Sequence, residues 1–125
     1  MCRLMLLLMA LAISPVNAGN PPPGNQSDLI DIWGSVLYCR AIYEEPDIRG
    51  RIYEGDRESC NGAHRSLGMH ALDSWPEEEV QTVFEHAQHK SAVIRYNTRS
   101  TQEAVAACRE LCRAYKDLSP VLLVL

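Results

Sequence analysis

The sequence is poor in the residues that build a large apolar core, with one Phe and two Trp among 125 residues. One small domain is the most such a chain assembles, which excludes a two-domain organisation. It also lacks any basic run, and its 12 Lys and Arg stand against 16 Asp and Glu, a net charge of −4. Such a chain gains nothing from releasing counterions on nucleic acid, so that class of partner is set aside. Long apolar runs are missing too: Leu4 to Ile13 is half of the roughly 20 residues needed to cross hydrocarbon. HExxH, G-x-S-x-G, a glycine-rich phosphate loop and CxxC are all absent. Their fixed spacings are what places a metal, an activated serine, a phosphate or a redox pair, so the expectation is a non-enzymatic protein with no cofactor and no metal.

What is present begins with a leader. Arg3, the apolar run Leu4 to Ile13 and the small-residue stretch Val16-Asn17-Ala18 read as a secretory signal peptide over 1–18. Cleavage after Ala18 leaves Gly19 to Leu125, 107 residues with 11 basic and 16 acidic side chains and a net charge of −5. It also removes Cys2 and leaves four cysteines. An even count in an exported domain predicts two disulfides. The expected location is exported, periplasmic in a bacterium and secreted otherwise, with no membrane attachment once the leader is gone.

Gly19 to Gln26 contains three consecutive prolines and no periodic apolar residue, a stiff leader rather than a packed element. The helical domain is expected over 27–120. Its first helix starts at Ser27 or Asp28 as N-cap and runs through Leu29, Ile32, Trp33, Val36, Leu37 and Tyr43, with Pro46 ending it. Asp47 to Gly55 is a charged turn. A second helix carries Cys60, Ala63, Leu67 and His70 or Ala71 on one face, at three- and four-residue steps, with Gly62 and Gly68 inside it costing about 1 kcal/mol each against Ala. Ser74 and Glu77 form a capping box for a third helix with Val80, Val83, Phe84, Ala87 and Ile94 inward. Ser100 and Glu103 repeat that box for a fourth, with Ala104, Ala107, Cys108, Leu111, Cys112 and Tyr115 inward, and Ser119-Pro120 stops it. Val121 to Leu125 is an apolar tail, expected as a clasp across the bundle. The fold class is all-α: a small four-helix, bundle-like domain.

The cysteines narrow their own pairing. On one helix, Cys108 and Cys112 have Cβ atoms about 5–6 Å apart, whereas a disulfide wants roughly 3.5–4.5 Å. Two arrangements remain: Cys39–Cys108 with Cys60–Cys112, or Cys39–Cys112 with Cys60–Cys108. Both bolt the last helix to the first two.

Other residues are of types that carry chemistry. Cys108 and Cys112 with His86-x-x-His89 are the residue types of a zinc site, but export favours oxidised cysteines, and both histidines suit the negative end of a helix dipole. Cys39 beside His64 or His70 is a nucleophile only if reduced. Glu77, Glu78 and Glu79 are adjacent on a helix and point apart, as a solvated first turn does. Tyr38, Tyr43, Tyr53, Tyr96 and Tyr115 with the two Trp are the aromatics a small carrier of an apolar ligand would use, which is the alternative function. Arg40, Arg49, Arg51, Arg57 and Arg65, interleaved with acids, form a mixed-charge surface.

The layout carries a resemblance. The residues are Leu37-Tyr38-Cys39-Arg40-Ala41-Ile42-Tyr43, an acidic turn, a Gly- and Ala-rich second helix running to Trp75, a third helix after a capping box, and Cys108-Arg109-Glu110-Leu111 in the last helix. Over about Asp28 to Leu118 the chain resembles the small all-helical periplasmic immunity proteins that neutralise peptidoglycan amidases delivered by type VI secretion, those paired with the fourth amidase group. It departs from that pattern at Cys60 and at Cys112-Arg113-Ala114-Tyr115. The resemblance implies an immunity protein whose partner is the effector amidase and which forms a homodimer. It also implies that the loop between the third and fourth helices, here Tyr96, Asn97, Thr98, Arg99 and Ser100, inserts into the catalytic cleft of the toxin.

Overall fold

The computed structural model describes residues 22–45, 54–98 and 102–118. Among them are four helices and no strand: α1 (Gln26–Ile42), α2 (Glu54–Ser74), α3 (Glu77–Asn97) and α4 (Gln102–Tyr115). The all-α expectation holds. The signal peptide, residues 19–21 of the proline leader, the charged turn up to Tyr53 and the tail Val121–Leu125 lie outside the described residues; contrary to the expectation of an unpacked leader, Pro23 is buried, its carbonyl 2.9 Å from His70 Nε2.

The helix ends differ from the capping expected. Asn25, not Ser27 or Asp28, caps α1, its Oδ1 accepting from the Asp28 backbone N–H at 2.8 Å. The helix therefore begins at Gln26, the last residue of the expected leader. It closes at Ile42 with Tyr43 as C-cap, before the proline is reached. Gly55 sits inside the first turn of α2 rather than bounding a loop. The Ser74–Glu77 box does not form, because α2 continues through Ser74 and Pro76 is the N-cap of α3 with no side-chain bond. Proline has no side-chain acceptor, so α3 starts without a side-chain cap. Ser100, of the second box, lies outside the described residues.

Cross-links between side chains fix the topology. Gln26 bonds Glu79 at 2.8 Å near the start of both α1 and α3, and Arg95 bonds Glu45 at 3.2 Å near their ends, so these two helices run parallel. Trp33 bonds His64, and Arg57 bonds Glu44, so α2 runs antiparallel to α1. On α4, Tyr43 meets Val105 and Cys39 meets Cys108, making it antiparallel to α1 as well. α1 is the central strut, with α3 on one side and α2 and α4 on others. That explains why Leu29, Trp33, Val36, Tyr38, Cys39 and Ile42 are all buried. Three neighbours consume three faces, more than one amphipathic stripe supplies. Ala107, by contrast, is exposed and not part of the inward face of α4.

Two disulfides complete the frame: Cys39–Cys108 with Cα atoms 5.5 Å apart and Cys60–Cys112 with Cα atoms 4.7 Å apart. This is the first of the two pairings left open by helix geometry. Both pass through the core, where Cys39, Cys60, Cys108 and Cys112 are each at most 2% exposed.

A buried acid ties the same helices together. Asp56 in the first turn of α2 is 2% exposed and receives Arg109 Nε at 2.9 Å and Arg113 Nη2 at 3.4 Å. The arginines are 37% and 59% exposed, so the two ends of the pair are unequally buried. Asp56→Ala lets both guanidinium groups turn to water and is expected to cost about 1–3 kcal/mol. Replacing Arg109 and Arg113 together by Ala strands a buried carboxylate and is expected to cost more, about 3 kcal/mol or above. Urea unfolding of the two variants, side by side, checks the order.

Candidate partner-binding end of the bundle

The end of α1, the start of α2, the end of α3 and the start of α4 meet at one end of the molecule. Here α3 carries its segment of interest outward. Val80, Val83, Ala87 and Ser91 are the buried positions of α3, so the same helical period turns His86, His89, Val93 and Tyr96 to the opposite side. Val93 is 45% and Tyr96 90% exposed. Asn97 is the last residue of α3 and Thr98 leaves it in an extended conformation. Both are exposed, while Arg99 and Ser100 lie outside the described residues. The structure thus places Tyr96, Asn97 and Thr98 together at a solvent-facing corner.

Beside the Arg95–Glu45 pair at this end lies a buried polar group without a hydrogen bond among the described residues. Tyr38, on α1, is 6% exposed, and its hydroxyl makes no hydrogen bond among the described residues. Burial pushes its ionisation above the ordinary tyrosine value, the nearby Glu45 carboxylate adds to that, and Arg95 opposes it. Arg95 and Glu45 pair at 3.2 Å over the same region. An unpaired buried hydroxyl is rare in folded proteins because it costs roughly 1–3 kcal/mol. Sequence periodicity gave Tyr38 and Val93 no role at this end; the outward i,i+3 pair Val93 and Tyr96 was visible in the sequence, whereas the orphaned hydroxyl needs coordinates.

The remaining candidates fall elsewhere. The zinc alternative fails because both thiols are consumed in disulfides, and His86 and His89 are exposed. Cys39 is likewise bonded and is no nucleophile. Of the aromatics considered for a carrier, Trp33, Tyr38 and Tyr43 are packed into the core, and Tyr43 donates to the Val105 carbonyl at 3.2 Å. Tyr53 lies outside the described residues. Arg57 is held between Glu44 at 2.9 Å and Glu54 at 2.6 Å, and Arg40 donates to Asn61, as a mixed-charge surface does.

No family model, curated protein or solved structure matches the chain. Site and scaffold therefore speak for themselves. Two disulfides fit an oxidising compartment, and among the described residues no helix is long and apolar enough to cross a membrane.

A second cluster sits on the flank. Trp33 Nε1–H donates to His64 Nδ1 at 3.0 Å, and Phe84 lies 5.0 Å from the Trp33 ring and 6.1 Å from that of His64. To accept, Nδ1 must be unprotonated. Burial holds His64 below its ordinary value, with Arg40 and Arg65 acting in the same direction. A folded-state value lower than the unfolded one means that the unfolded chain takes up the proton first as pH falls. The His64 contribution is thus complete above about pH 6.5 and declines below it toward the lowered folded value. Urea midpoints are expected to drop between about pH 7.5 and 5, and His64→Gln, whose amide oxygen still accepts from Trp33, is expected to flatten that slope.

Proposed function

We propose that this chain is an exported, non-enzymatic inhibitor protein that binds a cell-wall amidase toxin and covers its active site. Tyr96, Asn97 and Thr98, followed by Arg99 and Ser100, form the inserting element. The observation that carries this reading is Tyr96, an aromatic ring 90% exposed at the end of α3, beside a frame in which disulfides join α1, α2 and α4. Tyrosine is among the residues that dominate interface energetics, and a rigid frame removes much of the ordering cost of binding. The polar character of Asn97 to Ser100 adds capacity for hydrogen bonds to a partner. The resemblance to immunity proteins supplies the partner class, and with it a homodimer and a periplasmic location.

The direct test is co-purification with the amidase and inhibition of peptidoglycan hydrolysis. Tyr96→Ala is expected to weaken binding by about thirtyfold, equivalent to about 2 kcal/mol, while leaving the melting temperature unchanged, since the ring touches little of its own fold. Unaltered hydrolysis with the protein in excess overturns the reading.

A further inference from the structure

Two large apolar side chains of α2, Met69 at 66% and Leu72 at 58% exposed, stand three residues apart and so share one side of the helix. Leu72 also rims an open depression of about 290 Å³ lined by Trp33, Gly68, Val80 and Phe84 among others. Exposed apolar side chains that adjoin an apolar depression are a surface on which a further apolar segment can be buried.

The path of the chain beyond α4 points to the cover. A Cβ placed on Gly62 would stand 3.5 Å from Lys116 Cβ, and two residues later the Leu118 backbone N–H donates to Ser66 Oγ at 2.9 Å. Residues 116 to 118 therefore advance along α2 in its own direction. Four helical residues rise about 6 Å and two extended residues span about 7 Å, so this stretch is extended and parallel to α2. Gly62, Ser66, Met69 and Asp73 succeed one another at three- and four-residue steps along that line, which makes Met69 the next apolar side chain on the path. The opposite flank of the line is occupied, since His70 Nε2 meets the Pro23 carbonyl at 2.9 Å. Beyond Leu118 the chain reads Ser119-Pro120-Val121-Leu122-Leu123-Val124-Leu125, without a charged side chain. Seven extended residues reach about 23 Å, and only about 12 Å separates Ser66 from the end of α2 at Ser74.

We propose that Val121–Leu125 lies along α2 over Met69 and Leu72, an apolar clasp that closes the flank of the bundle. The patch is toward the end of α2, at the opposite end of the molecule from Tyr96, so this inference holds or fails independently of the inhibitor reading.

The test compares the intact, disulfide-oxidised chain with one stopped after Pro120. Methionine sulfoxide formation at Met69 by dilute hydrogen peroxide, measured by peptide mass spectrometry, is expected to be several-fold faster in the shortened chain. In the intact chain, Met69→Lys with Leu72→Lys, at exposed positions that leave helix content unchanged, is expected to speed amide exchange over 121–125 several-fold. Equal Met69 oxidation in both chains overturns the proposal, as does exchange over 121–125 that is already as fast in the intact chain as in the Lys variant. Met69 protection that rises with protein concentration assigns the patch to a second copy and overturns it. So does protection seen only with phospholipid vesicles, or protection lost on removing the residues before Pro22 instead of those after Pro120.

Discussion

Reduction of both disulfides is expected to lower the melting temperature by at least about 15 °C and to release α4 ahead of the other helices. The reason is how little else holds that helix. Its only fully buried side chains are Cys108 and Cys112 themselves; Val105, Leu111 and Tyr115 are half-buried against the core. Removing the sulfur bridges leaves α4 with these half-buried contacts and with polar links that include the Asp56 pairs, of which both arginines are substantially exposed, and the Tyr43–Val105 bond. The bridges close separations of 69 and 52 residues, for which the usual contribution is about 2–4 kcal/mol each. Together they amount to about 4–8 kcal/mol, against a total stability of about 5–15 kcal/mol for an ordinary domain. The two bonds also differ in what they fix. Because Cys108 and Cys112 are one turn apart, either bond alone tethers α4, while both are needed to fix its axis. Thermal unfolding with and without reductant, with amide exchange mapped helix by helix, checks this. An unchanged melting temperature, or α4 as protected as α1 after reduction, contradicts it.

How far the sequence carried the fold depends on which element is considered. Cys60, Ala63 and Leu67 marked the inner face of α2 correctly, of the alternatives His70 and Ala71 the structure buries Ala71, and the geometry of two cysteines on one helix left two pairings, of which the structure holds one. These readings rest on local spacing, which one helix carries within itself. What spacing could not reveal is that α1 has three neighbours. Tyr38, Cys39 and Ile42 are buried along with Leu29, Trp33 and Val36, so no single stripe describes α1, and its inner positions were undercounted. The helix starts misled for a different reason. Ser74 and Glu77 carry the right chemistry for a capping box, but the neighbouring Trp75-Pro76 junction lets α2 use Ser74 as its own last residue. At the candidate site, the resemblance implied a loop from Tyr96 to Ser100, whereas Tyr96 and Asn97 are the last two residues of α3 and only Thr98 of the described residues leaves it. The buried Tyr38 hydroxyl, the buried Asp56 and the Trp33–His64 bond all depend on contacts between residues far apart in sequence, which no local pattern encodes.

Gly34→Val is expected to destabilise the chain by about 3 kcal/mol, at the upper end of overpacking costs. α1 and α3 are in close contact at this residue. A Cβ on Gly34 would stand 2.8 Å from Lys90 Cγ, 2.9 Å from Lys90 Cβ and 3.1 Å from the Ala87 carbonyl oxygen. The first atom belongs to a long side chain, but the other two are anchored to the backbone of α3, so relief requires the helices to part. Lys90 is itself draped across this crossing, its Nζ 2.8 Å from Asp31. Losing that exposed pair costs under about 1 kcal/mol, so separation of the helices carries most of the penalty. Even Gly34→Ala is expected to destabilise, although alanine favours a helix interior over glycine by about 1 kcal/mol. Gly68 provides the contrast within the same protein. There the nearest atom to an added Cβ is Trp33 Cζ2 at 3.6 Å, an ordinary contact, and Gly68→Ala is expected to stabilise by about 0.5–1 kcal/mol. Denaturant midpoints of the two alanine variants should therefore move in opposite directions. If both rise, the close approach of α1 and α3 at Gly34 does not limit the packing of this bundle.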